Sequence, residues 1–135
     1  MPNKATVKKA KRDLRTGKRP STPAGEFVRE EIEHVRQGKH GARSSKQAIA
    51  IGLSKARRAG VPLKPPRQGQ TSERTRRSAA RDLATGEGRR KPRAPSPRRS
   101  RASERNLQRE GRKAGSRAAL SRQAKRSSRS RARSR

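Results

Sequence analysis

The residues in this chain with the most evident chemistry are its cations. Lys39, Arg43, Lys46, Lys55, Arg57 and Arg58 cluster in one apolar-patterned segment, with His40 among them. Arg98 and Arg99 follow Ser96-Pro97, and Arg129, Arg131, Arg133 and Arg135 alternate with serine and alanine at the end of the chain. Lys and Arg at such density neutralise phosphates and release condensed counterions, which gives strong, salt-sensitive affinity for a polyanion. Catalytic candidates are few. His34 and His40 are the only imidazoles, and acids gather at Glu26, Glu30, Glu31 and Glu33. Glu30 and His34 stand four apart on a helix, but two ligands do not make a metal site. Neither a triad nor a ligand constellation is present, so no enzyme, metal or cofactor is expected.

The composition sets the frame for these residues. Of 135 residues, 41 are Lys or Arg and 10 are Asp or Glu, a formal net charge of +31. Only 24% of the chain is hydrophobic, Phe27 is its single Phe, Tyr or Trp, and it has no cysteine. Low hydrophobicity with high net charge is the composition of a chain that cannot offset its conformational entropy by apolar burial. A full-length globular enzyme is therefore not expected. Absence of cysteine removes disulfides and thiolate sites. No apolar run approaches the ~20 residues of a membrane span, and the first twenty residues lack a signal-peptide core. A cytoplasmic, nucleoid-associated protein is expected, with no membrane partner.

Charge and apolarity run in opposite directions along the chain. Residues 87–135 hold 19 cations against 3 carboxylates, net +16, whereas residues 21–66 hold 9 against 4. Phe27, Val28, Ile32, Val35, Ile49, Ile51, Leu53, Val61 and Leu63 all fall in the latter. Thr22-Pro23 reads as a helix start, and Ala24, Val28, Ile32 and Val35 form one stripe with Phe27 at its margin. Gly38 ends that helix, Ser44 with Gln47 has the capping-box pattern, and Gly60 with Pro62 ends the next.

The fold expected is a mostly disordered basic chain with a small all-α segment. That segment is an antiparallel helical hairpin over 21–63, with helices at about 23–37 and 45–59 and room for a third short helix at 5–16. Residues 1–20 form a basic N-terminal segment, and 64–71 a Pro/Gly linker. A short basic helix follows at 72–86, then an Arg/Ser/Pro-rich disordered tail over 87–135. Ile51 projects away from Ile49 and Leu53, so a homodimer through the hairpin is one way to cover it. Residues 5–17 and 74–86 align without gaps and share Thr, Ala, Arg-Asp-Leu, Thr and Gly, which points to a duplication; Arg105-Asn106-Leu107 is a fainter third copy.

The segment Ser21-Thr22-Pro23-Ala24-Gly25-Glu26-Phe27, with Gly38-Lys39-His40-Gly41 and Lys46-Gln47-Ala48-Ile49-Ala50-Ile51 further on, resembles a family of small basic bacterial proteins of uncharacterised function. Ser54-Lys55-Ala56-Arg57-Arg58-Ala59-Gly60 completes the likeness, which covers about residues 4–63. It implies a bacterial intracellular protein and brings no activity. The tail resembles histone-like, linker-histone-type basic tails.

The expected function is therefore non-enzymatic, histone-like binding of DNA through its phosphates with little sequence readout. One phenylalanine on a core stripe cannot supply the stacking platforms that single-strand binders use. An RNA- or ribosome-associated protein is the first alternative. A protein-interaction hairpin with a non-specific polybasic tail is the second.

Overall fold

The computed structural model describes residues 3–91, 94 and 96–133. Among them are six α-helices: α1 (Lys4–Arg15), α2 (Ser21–Arg36), α3 (Ser45–Arg58), α4 (Glu73–Gly86), α5 (Pro97–Arg109) and α6 (Arg117–Arg133). A single 3-10 turn, Lys113–Gly115, precedes α6. This all-α architecture overturns the expectation of a mostly disordered chain, and the region expected as a disordered tail carries α5, the turn and α6. Two physical reasons account for the difference. Arg, Lys, Ala, Gln, Glu and Leu, which dominate 97–133, are strong intrinsic helix formers. Pro97 also suits a helix here, because it follows the N-cap Ser96 as the first residue of α5.

The second reason is that large apolar side chains are a poor measure of this core. Among the described residues, seven of the ten buried hydrophobic ones are alanines: Ala10, Ala24, Ala42, Ala48, Ala56, Ala79 and Ala114. Small side chains let helix backbones approach closely, so packing comes from backbone and β-carbon contacts that a count of Leu, Ile and Phe misses.

The chain divides into two compact units. The first comprises Met1–Glu30 with Ile51–Ala94. Its core is Ala10, Ala24, Phe27, Ala56 and Val61, flanked by Val7, Leu53, Ala59 and Leu63. Gly52 of α3 lies against α2; a β-carbon there would stand 2.6 Å from the Cα of Val28. Gly86 of α4 lies against the carbonyl of Arg57, where a β-carbon would collide. The α1 and α4 segments that repeat in sequence also correspond in burial. Ala10 and Ala79 are both interior, and Asp13 and Asp82 each meet a cation, Lys18 at 3.1 Å and Arg58 at 3.8 Å. Their starts are capped alike: the Asn3 side chain accepts from the Ala5 N–H, and Ser72 accepts from the Thr75 N–H.

The second unit comprises Glu31–Ala50 with Pro95–Arg135. Val35, Ala42, Ala48 and Ala114 form its core. The loop 37–44 is bonded to the segment before α6: the Gly41 N–H donates to the Leu107 carbonyl at 2.6 Å and the Ala42 N–H to the Gly111 carbonyl at 3.3 Å. Arg36 Nε donates to the Gly115 carbonyl at 2.7 Å, and the Ser45 hydroxyl to that of Ala114 at 2.5 Å. Residues 107–115 therefore complete the packing of the hairpin loop.

Candidate nucleic-acid interface

In the first unit the expected basic set divides by burial. Arg57 is only 7% exposed, and its guanidinium donates from Nε to the Leu63 carbonyl and from a terminal nitrogen to the Lys64 carbonyl, both at 3.1 Å. Burial lowers its pKa, with Asp82 acting in the opposite sense. Arg57 thus ties down the chain leaving α3, which corrects its expected place on a phosphate-binding surface. Arg58 is exposed and lies near the Ser54 carbonyl and the Asp82 carboxylate; Lys55 is half-buried. Ile51, expected to need a cover, is half-buried within the chain itself.

The clearer cation arrays of this unit are on the repeated helices. Lys4, Lys8, Lys11 and Arg15 are exposed on α1 at spacings of four, three and four, which places them on one face. Arg74, Arg77 and Arg81 do the same on α4, on the side away from buried Ala79. The sequence reading did not select these positions, although their spacing was the signal that could have found them.

In the second unit Lys39, Arg43 and Lys46 are exposed, as are Arg98 and Arg99 in the first turn of α5. Arg129, Arg131 and Arg133 are exposed at the end of α6, where cations suit the helix dipole. Arg135 lies outside the described residues. Helix α6 has the most regular array. Ala119, Leu120, Gln123 and Ser127 are its partly buried residues and form a narrow seam. At 100° per residue, Arg122, Lys125, Arg126, Arg129 and Arg133 share one arc that adjoins this seam at Ala119, and all five are exposed. Arg122, Lys125 and Arg126 were not singled out from sequence.

His40 departs from the basic surface expected of it. It is turned inward onto Glu31, whose side chain is completely buried. His40 Nε2 lies 3.2 Å from Glu31 Oε2, and His34 Nδ1 lies 3.8 Å from Glu31 Oε1. The rings of His34 and His40 meet edge to face with centroids 6.0 Å apart. The carboxylate that meets His34 here is therefore Glu31, not the Glu30 suggested by helical spacing alone. Glu31 falls on the same arc of α2 as Ala24, Phe27 and Val35, so its interior position could have been read from periodicity.

No described helix is long and apolar enough to cross a membrane. No family model, curated protein or solved structure matches this chain.

Proposed function

We propose that this protein is a non-enzymatic binder of nucleic-acid backbones, with duplex DNA as the favoured partner. The reading is carried by one observation: the α6 array, in which five exposed cations share one arc outside the partly buried seam. They span twelve residues, about 16 Å of helix, and an equal length of duplex carries roughly ten phosphate charges. A helix held in place by its seam presents these charges with less ordering cost than a free polycation. The arrays on α1 and α4 extend the same chemistry to the first unit.

Duplex DNA is favoured over single strands because the only large aromatic side chain, Phe27, is 1% exposed in the core. Base stacking therefore has no aromatic platform, and the contacts left are to phosphates. Such binding is strong, tolerant of sequence and steeply dependent on salt. The corresponding place of work is the nucleoid. Competition between duplex DNA and structured RNA at fixed ionic strength tests the choice of partner. DNA should displace RNA at equal nucleotide concentration; preferential retention of RNA would move the assignment to an RNA-associated role.

A further inference from the structure

We infer that Glu31, His34 and His40 form a binding site for a divalent transition-metal ion of zinc type. Both histidines of the chain converge on one fully buried carboxylate, and the three can each offer a ligand atom, all within 4.8 Å of one another. Tetrahedral bonds near 2.0–2.2 Å separate ligand atoms by about 3.3–3.6 Å, so the His40–Glu31 edge already fits and the widest edge closes by no more than about 1.5 Å.

The orientation of His40 supports this assignment. Its Nδ1 is 3.0 Å from the Gly41 carbonyl, which can only accept, so Nδ1 carries hydrogen. In the neutral ring Nε2 then presents a lone pair to Glu31 Oε2, and two acceptors at 3.2 Å require a cation between them. A proton or a metal ion meets that requirement. A backbone carbonyl that fixes the tautomer of the distal nitrogen is the outer-shell arrangement of metal-ligating histidines. His34 follows Glu31 by three residues on α2, which places both on one face of the helix. His40 also lines an open cleft of about 430 Å³ with Gln37, Gly41, Gln108 and Arg112. The cleft supplies an access route to His40. A chain of net charge +31 repels free cations in general, so retention of a divalent ion here requires a specific chelate.

The test is cobalt(II) titration of the full-length chain, free of nucleic acid, followed by ligand-field absorption and by zinc displacement. The expected result is saturation at one ion per chain, with affinity weakened at least about 10-fold by His40→Gln and by His34→Gln. Glu33→Gln, at an exposed carboxylate paired with Arg36 at 3.1 Å, should leave binding unchanged. Circular dichroism confirms that each variant is helical before titration. Absence of saturable binding overturns the site, as does binding that both histidine variants retain or that Glu33→Gln weakens equally.

Discussion

The hydroxyl of Ser45, at the start of α3, donates to the carbonyl of Ala114, a residue 69 positions later that lies in the same small core as Ala48. Both residues are buried, so neither group can turn to water if the other is lost. This bond ties an arginine-rich segment into the interior.

Ser45→Ala should therefore destabilise the protein by about 1–3 kcal/mol, the cost of leaving a buried carbonyl unsatisfied. Urea unfolding followed by circular dichroism reads this directly. An unchanged midpoint would mean that residues 107–115 do not pack as described.

Arg57 and its neighbour Arg58 should respond differently to the same conservative change. Arg57→Lys loses the planar fork that reaches the Leu63 and Lys64 carbonyls, at a cost of about 1–3 kcal/mol. Arg58→Lys, at an exposed side chain, should change stability by no more than about 0.5 kcal/mol. Neither substitution removes a cation, so the salt dependence of DNA binding should hold in both. Equal stability of the two variants would contradict the buried role of Arg57.

Two glycines inside helices make opposite predictions. Gly52→Ala pushes a β-carbon into the Val28 backbone and should cost about 1–3 kcal/mol. Gly25 meets nothing within 4 Å at its β position, so Gly25→Ala should stabilise by about 0.5–1 kcal/mol through helix propensity. Thermal unfolding of the pair checks both. A loss at Gly25 as large as that at Gly52 would rule out close α2–α3 packing as the cause.

How much of this was legible depends on which physical signal each element rests on. Punctuation was readable: the helices expected at about 23–37 and 45–59 run Ser21–Arg36 and Ser45–Arg58, and Gly38 and Gly60 adopt positive φ at their ends. The helices within 97–133 were not, because low hydrophobicity with high net charge gives small side chains no weight as packing residues. Ala48 and Ala56, both 0% exposed, have little hydrophobic weight but allow close helix contact. Among the site residues, exposure of Lys39, Arg43 and Lys46 followed from a polar loop and helix start. Arg57 could not be distinguished from Arg58 by sequence, since its burial depends on where the chain turns after Gly60. The inward turn of His40 depends on Gly41 meeting the segment before α6, a contact between residues far apart in the chain.

The central claim is that exposed cations on ordered helices bind the phosphates of duplex DNA. The most direct test is a salt titration of duplex binding for the native chain and for a variant with Arg122, Lys125, Arg126, Arg129 and Arg133 all replaced by Gln. Glutamine preserves helix propensity, so the fold should survive. The account predicts a steep negative log–log slope for the native chain, shallower in the variant by up to about 4.5 for five lost phosphate contacts, with little difference between duplex sequences. A native slope near zero, or a variant slope equal to the native one, would contradict it.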